Sequence, residues 1–319
     1  MATYLVTGCA GFIGSHLSEA LVERGDTVIG VDNFSAYYDR SLKEHNLSQL
    51  KNDPAFTLLE LDLALASLDD AASAADGIFH LAAQPGVRAS WGQEFDPYVR
   101  DNVLATQRMF ELACGRDLRI VWASSSSVYG NAAAYPTLES TAAQPISPYG
   151  VTKLTCEQLS AAYGDALGLD SVAMRYFTVY GPRQRPDMAF TQIAQALVRG
   201  SAFTLFGTGE QSRDVTYVSD AVNATLLAMD RAASGSVFNI GGGDEVSINR
   251  VIELLEAASG MRLKVDSAPT AKGDARRTSA DTERARSELG WEPVVSIKEG
   301  LRAQLDWVSG APRLGELVG

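Results

Sequence analysis

Short apolar runs alternate along the first half of the chain with stretches whose apolar residues recur every three or four positions. Residues 3–7 form the first run, and Gly8 ends it. Ile13, Leu17, Ala20 and Leu21 then share one face of a helix predicted over residues 12–24, which Gly25-Asp26 breaks. Further runs occupy residues 27–31, 56–61, 78–82 and 118–123, the last interrupted by Arg119. They are largely apolar on both faces, as strands covered on both sides by helices must be. Helices are predicted between them, most clearly over 98–113 and 149–167, and one more strand over 171–175. This order predicts a doubly wound parallel α/β sheet.

After Pro182 the pattern changes. Residues 181–187 read as a linker. Beyond it come a helix near 190–199, strands near 203–206 and 215–217, and a helix near 220–230. A strand at 237–240, a helix at 248–259, a strand at 261–265 and short helices at 281–289 and 297–308 complete a smaller mixed α/β lobe. Some of its segments are expected to return to the first domain. The tail after Gly310 reads as a frayed end.

Composition narrows the functional classes. With 319 residues, 46% of them hydrophobic and 21% charged, the chain can bury a sizeable core. The net charge of -12 argues against a general nucleic-acid binder, yet leaves room for one nucleotide in a local pocket. Cys9, Cys114 and Cys156 give neither a disulfide framework nor a thiolate zinc site, and His16, His45 and His80 leave little for a metal centre. No signal-peptide pattern and no 18-residue apolar stretch is present, so a cytoplasmic protein is expected, with no membrane partner.

Candidate chemistry starts where the first run ends. Gly8, Gly11 and Gly14 form a G-x-x-G-x-x-G series between a strand and a helix. Gly8 permits a tight turn, Gly11 lets the backbone approach a pyrophosphate, and Gly14 permits close packing of helix on sheet; the helix start supplies amide donors. Asp32 closes the second strand. A carboxylate there accepts both hydroxyls of an adenosine ribose and repels a 2′-phosphate, which favours NAD over NADP. Arg40 and Lys43, farther along, count in the other direction. Asp62, after the third strand, either hydrogen-bonds the adenine amine or caps its own loop.

Ser124-Ser125-Ser126-Ser127 follows the fifth strand, where doubly wound folds bind ligands. Tyr149 and Lys153 are four apart and share a helix face. A phenol is a poor base at neutral pH, but a nearby ammonium and a positive nicotinamide favour its ionised form, which makes Tyr149 a plausible base. His80 reads as a structural strand-end residue.

These motifs, with His80-Leu81-Ala82-Ala83, Asn102, the Val128-Tyr129-Gly130 that follows the serines, residues 175–182 and residues 213–218, resemble the extended short-chain dehydrogenase/reductase family, over nearly the whole chain to about Trp307. Within it the chain resembles the nucleotide-sugar epimerases and dehydratases. The finer resemblance, carried by residues 32–39, 84–88, 175–182 and 185–189, is to UDP-glucuronate 4-epimerases. Glucose-type epimerases commonly carry Asn where Thr178 stands, and dehydratases carry Asp-Glu where Ser126 and Ser127 stand.

The resemblance implies a Rossmann-type domain over residues 1–180 that binds NAD and carries the catalytic residues, a mainly UDP-sugar-binding lobe over 181–310, and a tail over 311–319. It implies reversible hydride transfer at C4 of the sugar, with Tyr149 as base, Lys153 on the nicotinamide ribose, Ser125 on the 4-oxygen, and Ser126 and Ser127 at the same end. For the cofactor it implies Gly8, Gly11, Phe12, Ile13, Gly14, Asp32, Asn33, Asp62, Leu81, Ala82, Ala83, Asn102, Tyr176 and Val179, with Asn102 bracing the active-site strand. For the substrate it implies Arg88, Ser127, Thr178 and Arg185 near the sugar carboxylate, Phe206 over the uracil, Arg213 on the diphosphate, and Asp274 and Arg277 on ribose and phosphate. Arg88 serves equally well as a loop brace. Thr178, Ser127 and Arg185 are expected to hold the carboxylate of a 4-keto uronate out of line with the carbonyl, which prevents loss of carbon dioxide. A homodimer through a four-helix interface is also implied. Other readings are a UDP-glucose/galactose 4-epimerase, a UDP-glucuronate decarboxylase and a non-catalytic nucleotide-binding protein.

Overall fold

The computed structural model describes residues 1–270, 273 and 275–310. Asp274 and the tail 311–319 lie outside the described residues. The strands are β1 (Thr3–Thr7), β2 (Thr27–Asp32), β3 (Phe56–Glu60), β4 (Gly77–His80), β5 (Arg119–Ser125), β6 (Ser171–Tyr176), β7 (Thr178–Tyr180), β8 (Ala202–Phe206), β9 (Ser212–Tyr217), β10 (Val237–Ile240), β11 (Asp244–Ser247) and β12 (Lys264–Ala268). The α-helices are α1 (Phe12–Glu23), α2 (Arg40–Asn46), α3 (Asp69–Ser73), α4 (Phe95–Tyr98), α5 (Ala105–Arg116), α6 (Pro148–Leu167), α7 (Ala189–Arg199), α8 (Val218–Arg231), α9 (Ile248–Ser259) and α10 (Ile297–Gly310).

Among the described residues, seven strands form one sheet in the order β10-β6-β5-β4-β1-β2-β3, every neighbouring pair parallel. Strand order reverses at β1, so a crevice opens beyond the carboxyl ends of β1 and β4, the place where such folds bind ligands. Strand pleating sends successive side chains to opposite faces. Val6, Phe79, Val121 and Met174 therefore join Leu17 and Leu21 on one side. Leu5, Ile78, Ile120 and Trp122 join Met109 and Phe110 on the other. Each such buried side chain contributes about 1.5–3 kcal/mol from desolvation, so the sheet is a rigid platform for the loops at its edge.

The smaller lobe packs β7, β9 and β11 as a second sheet and pairs β8 with β12. Its core gathers Phe190, Ile193 and Leu197 of α7 with Val251 and Leu255 of α9 and Leu301 of α10.

Several elements depart from their expected bounds. The helix expected over 98–113 runs through α4 and α5, joined by a π-helical stretch at Val99–Leu104. The strand expected at 261–265 lies at β12, and the helix expected over 281–289 contracts to a π turn at Ala285–Leu289. β7 and β11 lacked a sequence signal because each is too short for its alternation to stand out. β10, read with the smaller lobe, pairs with β6 at the edge of the large sheet.

Candidate active site

One cavity runs along the carboxyl ends of the parallel strands. Its wall brings together the glycine turn, Asp32, Asp62, Leu81–83, Ser124–127, Tyr149, Lys153, Tyr176, Thr178, Val179 and Arg185. These come from seven separate stretches of chain, which the crossovers of the sheet deliver to one edge.

The turn after β1 is a cradle that larger residues would fill. Gly8 has φ +72, and a Cβ on it would lie 2.8 Å from the Ala82 amide nitrogen. A Cβ on Gly14 would collide with the Gly8 carbonyl. Gly11, the residue before α1, provides no side-chain cap, and the first turn of the helix carries no acidic residue, so its first amides and its positive dipole end stay available to an anion. Phe12 and Ile13 line the cavity beside them.

Asp32, buried at the end of β2, accepts hydrogen bonds from the amides of Ala10 (3.2 Å) and Phe34 (2.8 Å). Lys43 donates to it at 3.3 Å. Lys43 counted toward a phosphate-bearing cofactor on sequence grounds; here Asp32 neutralises it. Arg40 is likewise engaged, with Glu44 and with both oxygens of Glu60. Asp62 lines the cavity, caps its own loop by accepting from the Ala64 amide at 2.9 Å, and pairs with Arg100. Amide donors at the turn, a carboxylate acceptor at the end of β2 and glycines that clear the approach fit a dinucleotide such as NAD.

The catalytic candidates sit across the cavity. Ser147 caps α6 by accepting from the Gly150 amide at 3.1 Å, and Pro148 fills the first turn, where its missing N–H is not needed. The helix thus starts so that Tyr149 and Lys153, one turn apart, both reach the cavity wall. Lys153 donates to the Ala123 carbonyl at 2.8 Å, fixing its ammonium against the end of β5. Tyr149 packs edge-on against Tyr98, with ring centres 6.2 Å apart. Tyr98 in turn donates to the carbonyls of Pro85 and Gly86, and burial pushes its phenol up to about 12.

The four serines have distinct surroundings. Ser124 donates to Glu157 at 2.5 Å, and Glu157 holds Arg175 through both carboxylate oxygens at 2.9 and 2.7 Å. Arg175 also donates to the Tyr129 hydroxyl, which donates to Asn239. Ser125 Oγ accepts from the Ser127 amide at 3.1 Å, which starts the short turn at Ser126–Val128. Ser125, Ser126 and Ser127 line the cavity near Tyr149.

Other expected residues stand away from the wall. Asn102 is fully buried behind it, exchanging hydrogen bonds with the Gln84 backbone and donating to Thr152. That is a brace under the loop after β4, without a place on the cavity surface. His80 is also internal, between the hydroxyls of Thr7 and Thr106, and burial with the nearby Lys153 charge pushes its pKa down to about 3. Tyr176 reaches the wall while its hydroxyl meets Thr225 at 2.6 Å.

Arg88, Phe206, Arg213 and Arg277 do not join the wall that holds Tyr149. Arg88 lies over the Phe206 ring at 4.4 Å, one residue beyond Val87 of the wall, so this pair extends outward from the rim. Arg213 donates to the Ser212 carbonyl. Arg277 grips Glu245 through two bonds of 2.7 Å and covers Tyr135. Asp274 lies outside the described residues.

Tyr37, Tyr38, Gln84, Tyr98 and Asp187 carry no individual role in ligand binding on sequence grounds. Asp187 pairs with Arg185, and Tyr37, Tyr38 and Gln84 line the cavity. Their residue types carry no distinctive spacing, so only the fold reveals them. Among the described residues no cluster of His, Cys, Asp and Glu suits a metal ion, and no helix is long and apolar enough to cross a membrane.

Comparison with known proteins agrees with this geometry. The family model described as GDP-mannose 4,6 dehydratase matches residues 5–304. A UDP-glucuronic acid 4-epimerase of Bacillus cereus, solved with UDP-glucuronic acid and NAD, superposes with a TM-score of 0.93 at 39% identity, over 96% of this chain and 98% of that one. A UDP-glucuronate 4-epimerase of Thermodesulfobacterium geofontis is 37% identical, covering 96% of each chain. An uncharacterised UDP-glucose epimerase of Bacillus subtilis is 42% identical over 96% of this chain and 97% of its own. With the family model matching residues 5–304 and relatives of 37–42% identity covered almost end to end, the chain belongs to the GDP-mannose 4,6-dehydratase family, within the extended short-chain dehydrogenase/reductases that act on nucleotide sugars with NAD.

Proposed function

We propose that this protein is a UDP-glucuronate 4-epimerase, interconverting UDP-glucuronate and UDP-galacturonate. The observation that carries the reading is the presence of Arg185, Thr178, Ser127 and Tyr149 in one cavity wall with no carboxylate at Ser126 or Ser127. A cation and hydroxyls suit a C6 carboxylate. The missing acid removes the group with which related dehydratases move the C5 proton.

Bound NAD supplies the site that takes the hydride from C4 and gives it back. Tyr149 removes the 4-hydroxyl proton and later returns it. Lys153, held by Ala123, stands one helical turn from Tyr149 on the same face of α6, placed for the nicotinamide ribose. Ser125 hydrogen-bonds the 4-oxygen. Gly8, Gly11, Gly14 and the start of α1 hold the pyrophosphate, and Asp32 holds the adenosine ribose. Between the two transfers the sugar turns; in the pose before and the pose after that turn, Thr178, Ser127 and Arg185 keep the carboxylate out of line with the 4-keto group. Residues 1–180 carry the cofactor and catalytic groups, and residues 181–310 mainly the UDP-sugar.

A cytoplasmic homodimer is part of this reading. Val99 and Leu104 on the helical run before α5, and Val151 on α6, expose 43%, 46% and 46% of their surfaces. These apolar side chains, on two helices that pack together, suit a four-helix interface with a second copy. Sedimentation should report a dimer, and Val151→Glu should return it to monomer.

The deciding experiment incubates the purified protein with UDP-glucuronate without added NAD and follows the products by NMR. UDP-galacturonate is expected. A UDP-pentose as the main product would make it a decarboxylase, and conversion of UDP-glucose alone would make it a hexose epimerase.

A further inference from the structure

Arg185 already has a carboxylate. Its Nε donates to Asp187 Oδ1 at 3.0 Å and its Nη2 to Oδ2 at 3.1 Å. The Tyr37 hydroxyl donates to the same Oδ2 at 3.2 Å. Tyr37 is held close by Gly86, where φ is +99 and any side chain would occupy the place of that hydroxyl. The backbone around Arg185 is anchored independently. Arg183 pairs with Glu19 of α1 at 2.7 Å, and Gln184 is buried among Thr191, Gln304 and the Val179 carbonyl. The segment is therefore rigid on the N-terminal side of Arg185, while the guanidinium is oriented by a side chain two residues farther on.

A guanidinium offers five N–H donors, and Asp187 takes two of them in the side-on geometry that a second carboxylate would also seek. Arg185 lines the cavity, and the side chains of Arg185 and Asp187 are 21% and 36% exposed, so the charges of the pair are not locked in the core.

We infer that Asp187 is an internal counter-carboxylate that exchanges with the C6 carboxylate of the substrate on Arg185. When a uronate enters, Arg185 shifts bonds from Asp187 to the sugar. When the 4-keto sugar turns, C6 moves relative to the fixed Tyr149, and Asp187 recaptures the arginine, so that no cation is left unpaired. No bond to carbon forms or breaks in this exchange; only hydrogen bonds change partners. Asp187 thereby weakens the hold on each resting pose and eases passage between them. A sugar with a neutral C6 hydroxyl does not compete for Arg185, so Asp187 matters in this way only for a uronate substrate. Asp187 is a positioning and specificity-determining residue, distinct from the groups at C4.

The test compares wild type, Asp187→Asn and Asp187→Glu as holoenzymes. With UDP-glucuronate, Asp187→Asn should lower KM and kcat together, each by about three- to tenfold, and raise the fraction of reduced nicotinamide absorbance during turnover. Asp187→Glu, which keeps the charge, should retain values near wild type. Equilibrium binding in a Tyr149→Phe background should show Asp187→Asn tightening UDP-glucuronate by a similar factor while UDP-glucose changes less than about twofold. A raised or unchanged KM for UDP-glucuronate, or equal changes for both sugars, overturns the exchange and leaves Asp187 as scaffold. Wild type that fails to epimerise UDP-glucuronate overturns the proposed function itself, and the exchange with it.

Discussion

The Lys153 ammonium donates to the Ala123 carbonyl at 2.8 Å, tying the face of α6 that carries Tyr149 to the strand that ends in Ser125. Tyr149 and Ser125, the proposed base and 4-oxygen partner, are thus fixed through one contact between two rigid elements. Such preorganisation matters because proton transfer depends on sub-ångström placement of donor and acceptor.

Tyr149→Phe should therefore fold normally and bind cofactor but lose about two to four orders of magnitude in kcat, the usual contribution of a positioned acid–base group. Product NMR with UDP-glucuronate measures it, and near-normal turnover would remove Tyr149 from the chemistry.

On the proposed restraint of the carboxylate by Thr178, Thr178→Ala should release more UDP-pentose per epimerisation. The loss of one such hydrogen bond, about 1 kcal/mol, corresponds to roughly a fivefold change in partitioning. A by-product level matching wild type at equal turnover would place the restraint elsewhere.

Glu157→Gln should be destabilising. Both members of the Glu157–Arg175 pair are under a tenth exposed, and the substitution leaves the arginine charge buried without compensation. About 3 kcal/mol is expected, read as a lower midpoint in urea unfolding. An unchanged midpoint would mean that Arg175 finds another acceptor.

Stability should fall as pH drops below 6.5. The folded state holds His80 near pKa 3, mainly by burial and further by the Lys153 charge, against an ordinary value of 6.5. Over that window the unfolded chain binds a proton that the folded chain refuses, so the group subtracts up to about 1.4 kcal/mol per pH unit. The full contribution is present above pH 6.5. His80→Asn should flatten the slope of unfolding free energy against pH, and identical slopes would refute the assignment.

The large sheet was legible from the chain because its strands announce themselves twice, as apolar runs and as runs ending in Gly8, Asp32 and Ser124. The shared placement of Tyr149 and Lys153 was legible because four-residue spacing means one helix face. Residues at the edges of elements were harder. Asn102, which the family resemblance implied as a brace of the active-site strand, exchanges two hydrogen bonds with the Gln84 backbone, a partner 18 residues away that only the fold identifies. Arg277, expected on ribose and phosphate, is committed to Glu245, 32 residues away.

What the sequence determined by itself is whatever depends on local geometry: the helix and strand periods, the glycine turn and the shared face of Tyr149 and Lys153. What only the tertiary structure decided is which charges meet. Asp32 with Lys43, Asp62 with Arg100, and Asp187 with Tyr37 pair according to where rigid elements place them. The physical reason is range. Backbone preferences act over a few residues, whereas the partner of a charge is set by through-space distance, which the order of strands in the sheet controls.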